Sequence, residues 1–393
     1  MKVTAVLENV ASAGGGFNQS LTAVKQLKRL AENQNITINL ITTKKENLLL
    51  KEHLNIDVLY HRLTIFDYIN SYLSISELGR RFQKKLNFSS CFEKKLILNN
   101  SDLIYFLNPS FLVFALRKLN YVYTIWDASH RDNPEFPEVR NNIGLTRDYL
   151  YPKAIAQSIL TITDSDDLSV KLERRYGCDR NKLLTMPFAS PIDISKEELR
   201  KIEKFDTIFD RYFYFPAQYW AHKNHIRVLE AISILKKKGH IENIIFTGSD
   251  KGNLPFLKKR VEELDIKNQV LFLDFLQFNQ IISICQQCQG VIMTSYFGYT
   301  NLPPLEAWYM KKPLIYNKYL GSSFKNSAIL IDPDDADSVA NAIIKISRDK
   351  ELRDSLILAG EEELNTIIFR IKNAEDKFLS YLKTFQKRLS TWK

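Results

Sequence analysis

Lys223 lies in PAQYWAHKNH, between a strand-like run at residues 212–216 and a helix-like run that follows. A lysine at a helix start can set its ammonium against a phosphate, where the helix N–H groups also favour negative charge. His222 and His225 are three residues apart with no third metal-ligand type nearby, so helix capping and surface packing are expected of them rather than zinc. Further on, TSYFGYTNLPPLEAWYMKKP places Gly298 in a loop, Pro303 and Pro304 at a helix start, and Glu306 in the first turns. Proline suits that start because the first helical N–H groups lack partners anyway. A carboxylate there can accept hydrogen bonds from a vicinal diol such as a ribose. It can equally do no more than favour the helix dipole, a contribution of about 0.3–1 kcal/mol.

The first half of the chain carries a second set. Gly14, Gly15 and Gly16 follow the first strand-like run and precede a helix, a place where backbone can approach a ligand closely. Gln19 stands where a dinucleotide fingerprint needs its third glycine, and no Lys-Ser or Lys-Thr follows as in a Walker A loop. WDASHRDNPEFPEV brings Trp126, Asp127, His130 and Arg131 into one loop, with a histidine near an aspartate as an acid/base candidate or a loop anchor. Asp164 and Asp166 spell D-x-D, but a helix begins there, and N-capping by the aspartates is the simpler expectation than a metal. Cys285 and Cys288 form a lone C-x-x-C without a second ligand pair, which fits a buried helix face.

These residues need a frame, and the apolar pattern supplies one. β-branched runs such as KVTAVL, ITINLITT, SDLIYFLN, NYVYTIWD and SILTITDS alternate with amphipathic stretches. Phe17, Leu21, Val24, Leu27 and Leu30 recur at helical spacing, and DDLSVKLERRY ends at Gly177, a helix stop. After Pro187 and Pro191, RYFYFPAQ, IENIIFTGSD, QVLFLDFL, GVIMTSYF and KPLIYNKY repeat the alternation, and the chain is helical from DADSVANAII at residue 335 onward. Strand–helix alternation predicts an α/β protein with parallel sheets covered on both faces, in two halves joined near residue 190. In such sheets ligands bind outside the carboxyl ends of the strands, where the residues above fall.

The 393 residues are long enough for two or three domains at roughly 150 residues each. With 45% hydrophobic and 25% charged residues, the composition excludes a disordered chain or a fibre. Four scattered cysteines exclude a disulfide scaffold and suit a reducing compartment. There is no signal-peptide pattern and no apolar run of about 18 residues, so a cytoplasmic protein is expected. The formal net charge of +10 attracts polyanions, yet no helix-turn-helix, zinc-finger or RRM signature points to nucleic acid. LSISELGRRFQKKLNF gives part of that charge a place. Read as one helix, it sets Leu73, Ile75, Leu78, Phe82 and Leu86 on one side, flanked by Arg80, Arg81, Lys84 and Lys85. Such a helix suits peripheral contact with the anionic inner face of a membrane, or a buried helix with a solvated basic side.

Taken together, GGGFNQSL, TIWDASHRDNPEFPEV, ITDSDDLSVKLERRYG, YFPAQYWAHKNHIRVLEAI, IIFTGSD and YFGYTNLPPLEAWYMKKPLI resemble glycosyltransferase family 4, a retaining family with the GT-B fold. The resemblance covers essentially the whole chain. PAQ-x-W-x-HKNH and TNLPPLEA look like a branch common among bacterial surface-polysaccharide transferases. It implies two Rossmann-like domains whose parallel sheets face a central cleft: an acceptor-side domain at 1–190 and a nucleotide-sugar-binding domain at 191–365. A C-terminal helix at 366–393 would cross back to the first. The implied donor is a nucleotide diphosphate sugar carrying a hexose or deoxyhexose. The implied acceptor is a saccharide hydroxyl, lipid-linked, in O-antigen- or capsule-type synthesis, and neither metal nor other cofactor is expected.

Residue by residue, Lys223 matches the family's donor-phosphate lysine and Glu306 the second glutamate of its E-x7-E motif, expected on the ribose. Gly15 and Gly16 match the glycine loop that borders the diphosphate and acceptor. Gly248 of IIFTGSD, with Tyr299, Thr300, Asn301 and Leu302, completes the expected donor contacts. Three positions depart from the pattern. Gly298 replaces the first glutamate, so contacts to the transferred sugar fall to Tyr299, Thr300 and the amides through Leu302. Gln218 replaces a phosphate arginine, and a neutral hydrogen bond is roughly half as strong as a charge-assisted one. Trp126-Asp127 replaces a frequent His-Asp pair, leaving Asp127 or His130 as the polar group near the anomeric carbon. The implied chemistry is metal-independent transfer with retention, Lys223 and helix dipoles stabilising the departing diphosphate. A sugar-nucleotide epimerase of the same fold, or a catalytically silent nucleotide-binding scaffold, are the alternatives.

Overall fold

The computed structural model describes residues 1–392 apart from 11–13, 33, 141–142, 190–202, 299–300, 322 and 325, and apart from the side chains of 143–145. Pro191, Tyr299 and Thr300 therefore lie outside the described residues. The chain divides into two compact units. One comprises Met1–Ala128, Asn142–Phe188 and Arg370–Lys393; the other comprises Ser129–Asn141 and Ala189–Phe369. Ser129–Asn141 thus joins the second unit although it precedes the junction near residue 190.

The first unit is built on a parallel sheet of β1 (Lys2–Leu7), β2 (Thr37–Thr42), β3 (Asp57–Tyr60), β4 (Leu103–Phe106), β5 (Asn120–Ile125), β6 (Leu160–Thr163) and β7 (Leu183–Thr185). Its spatial order is β3-β2-β1-β4-β5-β6-β7. The second unit carries β8 (Phe213–Pro216), β9 (Ile244–Thr247), β10 (Val270–Leu273), β11 (Val291–Met293), β12 (Leu314–Asn317) and β13 (Ile329–Ile331), in the order β10-β9-β8-β11-β12-β13. Both orders reverse direction once, between β1 and β4 and between β8 and β11. That reversal defines a doubly wound sheet and opens a crevice at the carboxyl ends of those strands. β3, β7 and β13 are additional to the strands read from the sequence; all three lie at sheet edges.

The central strands read as continuous buried runs because helices cover both faces. Phe213, Phe215, Ile244, Ile245 and Phe246 are fully buried. The last helix, Lys350–Leu389, gives its residues from Arg370 onward to the first unit. There Ala374, Phe378, Leu382 and Phe385 recur at helical spacing and join the core formed with β1 and β4. The Phe378 ring sits 5.5 Å from Tyr105 on β4, and Glu375 pairs with Arg29 on the first helix. Among the described residues, no helix is long and apolar enough to cross a membrane.

Phe378→Ala should remove about 3–5 kcal/mol from the first unit by opening a cavity on its sheet. Chemical denaturation should show this loss, and a shift under 1 kcal/mol would mean that the helix end is not part of that core.

Candidate functional site

In the second unit, three strand ends are tied into one surface at the reversal point. The chain leaves β8 through Ala217 to Lys223, passes Asn224 in a left-handed conformation, and enters the helix His225–Lys237. Asn224 is buried, and its side-chain amide donates to the carbonyl of Pro333 at 2.8 Å, just beyond β13. Thr294, directly after β11, donates its hydroxyl to the carbonyls of Lys223 at 3.2 Å and Asn224 at 2.9 Å. The Tyr296 N–H donates to the His222 carbonyl at 2.9 Å. The backbone that presents Lys223 is therefore fixed from three sides.

Gly248, after β9, has no room for a side chain. A Cβ there would lie 2.5 Å from the Ala217 carbonyl oxygen and 2.6 Å from the Gln218 Cα. Gln218 accepts a hydrogen bond from the Trp220 indole at 3.1 Å. His222 stacks on Phe297 with ring centroids 4.2 Å apart, and it pairs through Nδ1 with Glu138. Burial would raise the Glu138 carboxyl, but the hydrogen bonds from His222 outweigh it and hold it below the usual range. His225 differs from the expected surface role: it is fully buried against Phe215, and burial drives its pKa down to about 3. A histidine in that state is a neutral core residue, not a cap.

Gly298 adopts φ 96°, and a Cβ would stand 2.7 Å from the Asn301 side-chain oxygen. The loop backbone thus demands glycine at the position where the resemblance would place a glutamate. Asn301 donates its amide to the Tyr316 hydroxyl at 2.7 Å and to the Gly298 carbonyl at 3.1 Å. It precedes the helix Leu302–Tyr309, in which Pro303 and Pro304 offer no N–H, leaving Leu302 to supply the donor nearest the start. Glu306 is half-buried in this helix, and burial alone raises its carboxyl to about 7.

The first unit shows a parallel construction. The helix Gly15–Ala31 starts in the glycine run, with Gly14 at φ 64°. The Trp126 indole, just past β5, lies against Gly16, where a Cβ would be 3.2 Å from the ring. Asp127 is held in an ion pair with Arg147 at 3.0 Å. His130 belongs to the second unit and is buried there. Three residues of weight at these two sites escaped the sequence reading: Glu8, Glu138 and Arg147. Glu8 follows β1 directly, and one of its oxygens is buried without a hydrogen-bond partner among the described residues, as is the Asn108 side-chain oxygen after β4. Burial raises the Glu8 carboxyl, opposed by hydrogen bonds from Ser110 and Asn108 and by Lys44. The signal for Glu8 was its place, a carboxylate ending an apolar first strand.

The three helices that begin at these strand ends, Gly15–Ala31, His225–Lys237 and Leu302–Tyr309, have no side-chain cap. Elsewhere Thr64, Ser76, Ser90, Ser165 and Asp335 cap theirs, whereas the helix Leu254–Glu263 is uncapped as well. Open N–H groups at a switch point suit an anionic ligand. Ser165, not the aspartates, caps the helix after β6. Asp166 instead pairs with Arg370 at 2.9 Å and Arg180 at 3.4 Å. Cys285 and Cys288 are buried free thiols, and no cluster of three His, Cys, Asp or Glu stands among the described residues.

Residues 195–363 match the family described as group 1 glycosyl transferases. The O-antigen chain mannosyltransferase RfbU of Salmonella typhimurium is 25% identical over 58% of this chain and 70% of its own. Among solved structures, HepE of Anabaena in complex with UDP and glucose is 14% identical, with a TM-score of 0.71 over 96% of this chain and 99% of that one. WaaG, a glycosyltransferase involved in lipopolysaccharide biosynthesis, is 13% identical, with a TM-score of 0.66 over 96% and 99%. The two parallel-sheet units have the GT-B fold, and the second carries the match to group 1 glycosyl transferases. The family match over residues 195–363 agrees with the resemblance to glycosyltransferase family 4.

Two predictions follow from this geometry. Glu306 keeps its proton in the folded chain up to about pH 7 but loses it near 4.5 when unfolded, so stability falls as pH rises through that window. The fall amounts to no more than about 3 kcal/mol, and Glu306→Gln should flatten it in denaturant titrations at both ends of the window. Gly298→Glu should not restore a sugar contact; it should cost about 1–3 kcal/mol in stability by forcing a side chain into a glycine-only conformation. Higher transferase activity in that variant would refute this account of the loop.

Proposed function

We propose that the chain transfers a hexose or deoxyhexose from a nucleotide diphosphate to a hydroxyl of a saccharide acceptor, with retention at the anomeric carbon and without a metal. The observation that carries this reading is Lys223 on a backbone pinned by Thr294 and Asn224, beside the uncapped helix His225–Lys237. A diphosphate there meets an ammonium and open helix N–H groups, which stabilise the charge that grows as it departs. That fixed charge suits a position where an arginine is replaced by Gln218. Glu306, as a carboxylate, accepts the ribose hydroxyls, and the Leu302 amide reaches the sugar.

In the first unit, the unpartnered oxygens of Glu8 and Asn108 suit hydroxyl donors, and so the acceptor saccharide. The bond between the anomeric carbon and the diphosphate oxygen breaks, and the acceptor oxygen bonds to the same face. The acceptor proton passes to the departing phosphate oxygen. Retention rests on the family resemblance. The structures of HepE with UDP-glucose and of TarM with UDP support a nucleotide donor. The names of RfbU and WaaG support O-antigen or lipopolysaccharide synthesis.

The test is a titration of GDP, UDP and dTDP with and without EDTA, followed by product analysis with and without acceptor. One nucleotide should bind, insensitive to EDTA, and Lys223→Ala should weaken it by roughly 10- to 100-fold, the worth of a charged hydrogen bond. Binding should strengthen as pH rises through about 7, where Glu306 ionises, and Glu306→Ala should abolish that dependence. Full activity in both variants would refute the assignment. Binding without turnover would make the chain a silent scaffold, and a changed donor without acceptor an epimerase.

A further inference from the structure

The segment expected to form one amphipathic helix folds as two, Ile65–Ile75 and Glu77–Leu86, because Ser76 adopts an extended conformation and caps the second. Ile75 is buried, whereas Leu78, Phe82 and Leu86 are exposed. The pair is packed inside out. Its buried residues are mainly polar, including Asp67, Asn70, Ser71, Ser74 and Gln83. Its outer face carries Ile65 at 69% exposure, Tyr72 at 68%, Leu78 at 77% and Phe82 at 53%, together with Phe66 and Ile69.

The inner polar groups bond one another, with the Asn70 side-chain nitrogen left without a partner among the described residues. Gln83 donates its amide to the Asn70 carbonyl and side-chain oxygens at 2.8 and 2.7 Å and accepts from the Ser74 hydroxyl at 3.1 Å. Asp67 accepts from His61 at 2.9 Å, from the Thr64 N–H and hydroxyl at 2.9 and 2.8 Å, and from the Phe92 N–H at 2.7 Å. Gly79 closes the corner: a Cβ there would lie 2.1 Å from the Leu73 carbonyl oxygen. The orientation is therefore built in, and the apolar face cannot turn inward without leaving these buried groups unpaired, a cost of about 1–3 kcal/mol each.

An apolar face held outward needs an apolar medium. Residues 61–98 contain seven Lys and Arg against Asp67, Glu77 and Glu93, and of these acids only Glu77 is exposed, paired with Arg81. Arg80, Arg81, Lys84 and Lys85 are exposed among the apolar residues. A second copy seated on this face would bring the same cations together. A negatively charged lipid surface accepts the apolar side chains and the cations at once.

The geometry points to the helix pair Ile65–Leu86 as a docking surface for an anionic lipid bilayer, with the apolar residues in the headgroup boundary and the cations on lipid phosphates. This goes beyond the proposed transfer and does not depend on it, since binding to vesicles needs neither donor nor acceptor. The test is flotation of the full chain with vesicles of phosphatidylcholine alone and of phosphatidylcholine mixed with phosphatidylglycerol. The chain should float with the mixed vesicles and much less with phosphatidylcholine, and salt should weaken the binding. Leu78→Glu with Phe82→Glu should abolish flotation, and Lys84→Glu with Lys85→Glu should weaken it about tenfold or more. Both pairs are exposed, so unchanged circular dichroism and nucleotide binding should accompany the loss. No flotation of the unaltered chain on mixed vesicles, or equal flotation of the Leu78→Glu, Phe82→Glu variant, would overturn the inference. A concentration-dependent dimer abolished by that variant, in a chain that does not float, would assign the face to self-association instead.

Discussion

The second unit depends most on one buried asparagine. Asn224 takes a left-handed turn, φ 60° and ψ 39°, which lets the chain change from the loop after β8 into a helix within one residue. Asparagine tolerates that conformation better than most residues. Its amide then binds the Pro333 carbonyl, while its own carbonyl accepts from Thr294, so the ends of β8, β11 and β13 are held as one piece. With the side-chain nitrogen turned to the Pro333 carbonyl, the side chain makes no capping bond to the helix it precedes. The N–H groups of that helix stay open beside Lys223. One interaction both fixes the loop and leaves the helix end available to an anion.

The same economy appears at Gly298 and Gly248, where close approach does the positioning. Gly248 lets the β9 loop touch the β8 loop at the level of Ala217 and Gln218. Gly298 lets Asn301 fold back over its own loop and reach Tyr316. A glutamate at 298 is therefore excluded by backbone conformation, which gives a physical reason for the departure from the family pattern. The glutamate that remains, Glu306, sits where burial costs it ionisation, so its charge becomes available to a ligand that brings hydrogen-bond donors.

The first unit spends polar groups differently. Asp67 lies in a buried site that would raise its carboxyl, yet hydrogen bonds from His61, Phe92 and Thr64 bring it down to about 2. Glu93 likewise turns one oxygen to the N–H groups of Arg117, Lys118 and Leu119. These buried carboxylates anchor the elements around the helix pair Ile65–Leu86 from the inside, and they release its apolar residues to the outside. Buried polar networks of this kind specify one orientation because breaking each bond they make is costly.

Much of this was legible in the chain. The alternation of apolar runs gave the central strands, since a strand buried on both faces must be apolar throughout. The glycine run, Lys223 and Glu306 fell after strands, where an open parallel sheet binds ligands. The edge strands β3, β7 and β13 were not legible, because three or four residues at an edge owe their conformation to pairing with a neighbour. Nor were Glu8, Glu138 and Arg147, whose weight comes from partners far along the chain. Periodicity found the apolar residues of Leu78, Phe82 and Leu86 but not which way they face. A sequence determines that a helix has two sides; which side is buried is decided by the hydrogen bonds that only the folded chain can close.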